Sequence, residues 1–143
     1  MFYGNTIQDT REIFFTSWEK YLNKKELLPL EQQVVQVILA HPEYHAFISS
    51  KKCDQQFFPE LGQTNPFLHL GLHLVIRDQV TMNKPEGISS VFKGLLKKYK
   101  DELEVEHVMM EALAECLWQA QRAQQLPDEL SYLKHCQHIL ESI

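Results

Sequence analysis

The hydrophobic residues of this sequence recur at intervals of three and four, the spacing of one face of an α-helix. No stretch keeps the alternation of apolar and polar residues that a half-buried β-strand requires. Prolines and short polar clusters divide the pattern into segments. The prediction is five or six helices in all. The longer ones cover approximately residues 8–22, 29–40, 66–82, 88–100 and 101–125, and a last one opens at Pro127. The pattern predicts an all-α fold, a single-domain helical bundle over residues 1–143.

The most apolar segment is NPFLHLGLHLVIRDQ, which predicts a central helix. Its first residue, Asn65, is a favourable N-cap. Pro66 suits the first helical position. A helix that is apolar almost all round is usually buried on several sides. Within it His69, His73 and Arg77 recur every four residues and form one polar stripe. Because burying a polar group without a partner costs several kcal/mol, the stripe must be hydrogen-bonded, paired or metal-bound.

Residues 87–125 contain no proline and no glycine after Gly94, so the pattern is compatible with one helix or two. Asp101, followed three residues later by Glu104, resembles a capping box. This favours a break at Lys100–Asp101.

A second pair of histidines lies in the segment HPEYH, where Pro42 separates His41 from His45. The proline should end the second long helix and begin a short new one. His41 and His45 are four residues apart, but the proline means that they need not share a helical face. The polar segment 51–64 is predicted to be a loop, and its Glu60 is placed to face the histidines of the central helix.

The charge of the chain argues against one large class of partner. The net charge is -5 and the sequence pI about 5.8, whereas a general nucleic-acid binder needs a basic surface.

The cysteines, Cys53, Cys116 and Cys136, form no CxxC pair, which is typical of reduced thiols in the cytoplasm. The sequence shows neither a signal-peptide pattern nor an apolar run of membrane-spanning length. We expect a soluble cytoplasmic protein without nucleic-acid or membrane partners. Homo-oligomerisation is left open.

Several histidines and one carboxylate are spaced as metal ligands. His69 and His73 share a helical face, as do His107 and Glu111 further along the chain. Glu104 and His107 match the Glu-x-x-His spacing of di-iron bundles. With His41 and His45 added, the candidate ligands are His69, His73, His107, Glu111, His41 and His45. Nitrogen and carboxylate ligands suit zinc, iron, manganese or nickel.

Two functions of different classes are compatible with this pattern. The first is a metal-dependent enzyme or metal carrier. The second is a non-catalytic interaction or structural module in which the polar stripe is architectural, held by hydrogen bonds to carboxylates or backbone carbonyls. The sequence contains no glycine-rich phosphate loop, no GxSxG elbow and no HExxH motif, so it identifies no catalytic residue.

Four segments, HPEYH, FFPELGQTNPFLHLGLHLVIRDQ, EHVMMEALAE and LWQAQRAQQLPDELSYL, together resemble a small bacterial family, the domain of unknown function 1841. The resemblance covers most of the chain. It implies a bacterial cytoplasmic protein of this size. It implies no activity and assigns a role to no residue.

Overall fold

The computed structural model describes residues 7–51, 56–58 and 61–143, and every regular element in these ranges is helical. This confirms the all-α class. The α-helices of these ranges are seven: α1 (Ile7–Leu22), α2 (Pro29–Leu39), α3 (His45–Ser49), α4 (Pro66–Met82), α5 (Ile88–Tyr99), α6 (Glu102–Ala123) and α7 (Glu129–Ser142). A 3-10 turn (Pro42–Tyr44) precedes α3.

The predicted count of five or six helices is too low for the part of the chain that the structure describes. The short helix predicted after Pro42 is α3, which takes the count above six and is only five residues long. A helix this short is under two turns, so it cannot display the repeated apolar face on which the sequence count relied. It starts after Pro42 because His41 has non-helical backbone angles, with φ -127 and ψ 70, and so separates α2 from the next turn.

The break between α5 and α6 is confirmed. Lys100 has a φ of 63, in the left-handed region that commonly ends a helix. Asp101 then acts as the N-cap of α6, since its carboxylate accepts a hydrogen bond of 3.0 Å from the backbone N–H of Leu103. The predicted start of α4 is confirmed in the same way. Asn65 Oδ1 accepts from the backbone N–H groups of Phe67 at 3.0 Å and Leu68 at 3.3 Å.

The backbone contacts divide the chain into two compact units, residues 1–74 and 75–143, with the division inside α4. In the first unit, α1, α2, α3 and the beginning of α4 share a core. Its buried members are Phe14, Phe15, Trp18, Val34, Val37, Ile38, Ile48, Phe67, Leu70 and Leu74. The prediction of one domain over 1–143 stays a prediction.

In the second unit, α5, α6 and α7 contact one another, and several apolar residues of this unit are buried. These residues are Ile76, Ile88, Val91, Leu95, Val105, Met109, Met110, Ala112, Leu113, Tyr132, Leu133 and Cys136. At Gly94 a Cβ atom would lie 2.9 Å from Leu140 Cδ2, so α5 and α7 are in close contact there. Among the helices of the described residues, none is both long enough and apolar enough to cross a membrane.

Glu31 joins α1 to α2 in the first unit. One carboxylate oxygen accepts from Lys20 Nζ at 2.8 Å, and the other accepts from the backbone N–H of Leu28 at 2.8 Å, at the start of α2. The hydrogen bond from Lys20 lowers the pKa of Glu31, and the bond from Leu28 lowers it further. The ionised form is therefore favoured in the folded state.

We expect Glu31→Gln to lower the free energy of unfolding by about 1 to 2 kcal/mol at pH 7. A carboxylate with a lowered pKa stabilises the fold above its unfolded pKa of about 4.3, and this contribution is lost as the pH falls through the folded value. The difference between parent and variant should therefore shrink below about pH 4. Urea unfolding at several pH values measures it.

Glu19→Gln is the matched control, because Glu19 pairs with Lys51 at 3.0 Å with both side chains more than half exposed. An exposed pair of this kind contributes about 0 to 1 kcal/mol. Equal losses in the two variants at every pH would contradict the role given to Glu31.

Candidate metal centre

Three imidazole rings of the first unit meet at His73. Its Nε2 atom lies 3.1 Å from Nε2 of His41 and 3.3 Å from Nε2 of His69. Each of the three residues offers one ring nitrogen within 4.8 Å of the others. The chain thus places three potential metal-ligand atoms at one point.

Two local features position these rings. His69 and His73 are one turn apart on α4, so their side chains lie on the same face of the helix. His41 comes from the junction between α2 and the 3-10 turn, where the following Pro42 keeps it out of helical geometry. The third imidazole therefore approaches from a different element, as a compact coordination group requires.

The hydrogen bond made by the other nitrogen of His41 sets its tautomer. His41 Nδ1 lies 2.8 Å from the carbonyl oxygen of Val37, and a carbonyl only accepts. Nδ1 therefore carries the proton, so in the neutral ring Nε2 presents a lone pair toward His73. The same arrangement, with one ring N–H on a backbone carbonyl, orients histidines that bind metals.

His73 Nε2 has two close imidazole neighbours, and a single hydrogen bond can join it to only one of them. Its Nε2 carries at most one proton, which is directed at one of the two neighbouring Nε2 atoms. A metal ion would accept the lone pairs of all three rings. With zinc–nitrogen bonds of about 2.0 to 2.1 Å, two ligands of a tetrahedral ion are about 3.3 to 3.4 Å apart. The observed separations of 3.1 and 3.3 Å are close to that value.

The three imidazole rings differ in their exposure to solvent. His73 is 0% exposed and His41 3%, whereas His69 is half-buried. Tyr44 stacks on His41 with ring centroids 5.8 Å apart and meets His69 edge-on at 5.9 Å. Burial raises the pKa of Tyr44, and the charge of Glu43 adds to this, so the phenol is protonated at neutral pH. No role was predicted for Tyr44 from the sequence, although it lies between His41 and His45 in the segment HPEYH.

His45 lies apart from this group. Its Nε2 donates to the carbonyl oxygen of Ile38 at 2.8 Å, near the C-terminal end of α2. Its ring also packs on Trp18, with centroids 4.6 Å apart. Hydrogen bonds to the last carbonyls of a helix stabilise its end, so these contacts give His45 a structural role.

The polar stripe of α4 is shared between the two units, because the boundary between them follows Leu74. Arg77 belongs to the second unit, where its Nε donates to Glu106 Oε2 at 3.0 Å. Glu106 is only 4% exposed, so this is a largely buried ion pair. The sequence did not single out Glu106, because it stands in an acidic run with Glu102 and Glu104 and nothing local marks it as buried.

Two further predicted ligands, His107 and Glu111, lie on α6 in the second unit, and both are exposed. Their assignment as ligands stays a prediction. Glu60, which was predicted to face the histidines, and Cys53 lie outside the residues that the structure describes. Cys116 and Cys136 are free thiols, and burial raises the pKa of Cys136 to about 11.

The family model for the domain of unknown function 1841 (DUF1841) matches residues 6–138. The chain belongs to this family. The match confirms the resemblance of the four sequence segments and includes every histidine from His41 to His138. No curated protein and no solved structure matches this DUF1841 chain.

Proposed function

We propose that this DUF1841 protein binds one divalent transition-metal ion through the Nε2 atoms of His41, His69 and His73. The observation that carries the proposal is the approach of two Nε2 atoms to that of His73, at 3.1 and 3.3 Å. The hydrogen bond from His41 Nδ1 to Val37 supports it, because it leaves the Nε2 lone pair of His41 to act as a ligand.

The ligand type narrows the choice of metal. Imidazole suits zinc, iron and nickel, whereas manganese prefers oxygen ligands. Three protein ligands are typical of catalytic zinc sites, while structural zinc sites generally have four. An ion held in this way can polarise a substrate or activate a water molecule. We therefore favour a metal-dependent enzyme or metal carrier over a purely structural zinc site.

Zinc titration of untagged, metal-free protein tests the proposal. We expect one ion per chain. His41→Ala, His69→Ala and His73→Ala should each weaken binding by at least about 100-fold, since even outer partners of metal ligands contribute 10 to 100-fold. His138→Ala is the matched control, because His138 is exposed on α7. Absence of binding by the parent, or equal affinity in all four variants, would overturn the proposal.

The same titration covers the two candidates of the second unit. His107→Ala and Glu111→Ala each remove one predicted ligand of α6. A loss of zinc affinity in either variant would identify that residue as a ligand. Unchanged affinity in both would limit the site to the first unit.

A second candidate function is a non-catalytic structural or interaction module. The observation in its favour is the stacking of Tyr44 on His41, together with the Val37 hydrogen bond, which would fix the turn after α2 without a metal. On that account the histidine variants lose stability equally with and without zinc. We also propose that the protein works in the cytoplasm, since the free thiols of Cys116 and Cys136 are typical of a reducing compartment.

A further inference from the structure

The ligand group contains no negatively charged side chain among the residues that the structure describes. His41, His69 and His73 bind a metal as neutral imidazoles. Glu111, the predicted carboxylate ligand, is outside the group. A divalent ion bound there keeps both positive charges, and this holds equally if His107 supplies one more neutral ring.

The burial of the site makes an unbalanced positive charge unfavourable. His73 and His41 are almost fully buried, and α4 buries Leu70 and Leu74 on either side of His73. Tyr44, which contacts two of the rings, presents a phenol and not a carboxylate. An ion taken out of water needs a counter-charge close by, because its desolvation otherwise costs several kcal/mol.

We infer that the bound metal completes its coordination with a small anion from solution, a carboxylate or another anion of similar size. This inference rests on the proposed metal site and names the ligand class that the site accepts. Zinc binds carboxylate oxygen at about 2.0 to 2.2 Å, so a carboxylate can complete a site of imidazole ligands. His69 and Tyr44 are both half-buried, so the group is reachable from their side. The substrate of such a site would carry a carboxylate or similar anionic group.

Cobalt(II) provides the test, because its visible absorption reports the number and type of its ligands. Cobalt-loaded parent protein is titrated with acetate at fixed pH and ionic strength. We expect a saturable change in the visible bands. Acetamide, which has nearly the same shape but no charge, should cause none. Acetate should also raise the apparent affinity for cobalt, since a ligand of the loaded state favours loading by mass action.

The outcomes separate this inference from the metal site itself. If cobalt binds to the parent and not to His73→Ala, but acetate leaves the spectrum unchanged, the anion inference is wrong and the metal site stands. An equal response to acetate and acetamide would also overturn it. If the parent binds no cobalt, both proposals fail together.

Discussion

Zinc should raise the melting temperature of the metal-free parent protein and leave that of His73→Ala unchanged. A ligand that binds only the folded state stabilises it by about 2.7 kcal/mol when its free concentration is 100 times the dissociation constant. His73 is expected to give the largest effect, because its Nε2 is the atom that the other two imidazoles approach. Differential scanning calorimetry with and without zinc measures the shift.

His73→Gln separates the lost ligand from a damaged core. Glutamine keeps much of the volume and some hydrogen bonding, so the metal-free variant should lose only about 1 to 3 kcal/mol, the cost of one imperfectly satisfied buried group. It should nevertheless show no zinc response. A parent protein whose melting temperature ignores both chelator and zinc would show that the histidines are architectural.

Phe67→Ala should lower the free energy of unfolding by about 3 to 5 kcal/mol, the usual range for a buried phenylalanine. Phe67 is 6% exposed, and its ring lies 5.5 Å from that of Phe15 and 5.4 Å from that of Phe47. The guanidinium of Arg11 lies 4.6 Å from its centroid. Truncation removes one partner from all of these contacts and leaves a cavity at the start of α4. Chemical denaturation of parent and variant gives the difference.

Leu68→Ala is the matched control, since Leu68 is the next residue of α4 and is 60% exposed. An exposed substitution of this kind changes stability by about 0.5 kcal/mol or less. Comparable losses at the two positions would contradict the packing of the first unit. Phe67→Ala should also weaken zinc binding, because Phe67 anchors the helix that presents His69 and His73.

Features that depend on neighbouring residues could be predicted from the sequence. The start of α4 follows from the amide of Asn65, and the break before α6 follows from the carboxylate of Asp101. Both are contacts between residues two positions apart, so the local pattern contains the necessary information. The stripe of His69 and His73 is local in the same sense, because helical periodicity alone puts both rings on one face.

The completed site could not be predicted in this way. His41 and His73 are separated by 32 positions, and helical periodicity relates only residues within one helix. The choice between His41 and His45 depends on Pro42, which gives the two rings different surroundings. The acidic partner of Arg77 is 29 positions away, and Glu106 looks like its exposed acidic neighbours until α6 is packed.

The most direct measurement is X-ray absorption at the zinc edge of protein loaded with one zinc ion per chain. The proposed site predicts nitrogen neighbours at about 2.0 to 2.1 Å, the outer-shell scattering of at least three imidazole rings, and no sulfur at about 2.3 Å. The imidazole scattering should fall in His69→Ala and remain unchanged in His138→Ala. A spectrum without imidazole scattering, or one that is the same in both variants, would contradict a metal site at His41, His69 and His73.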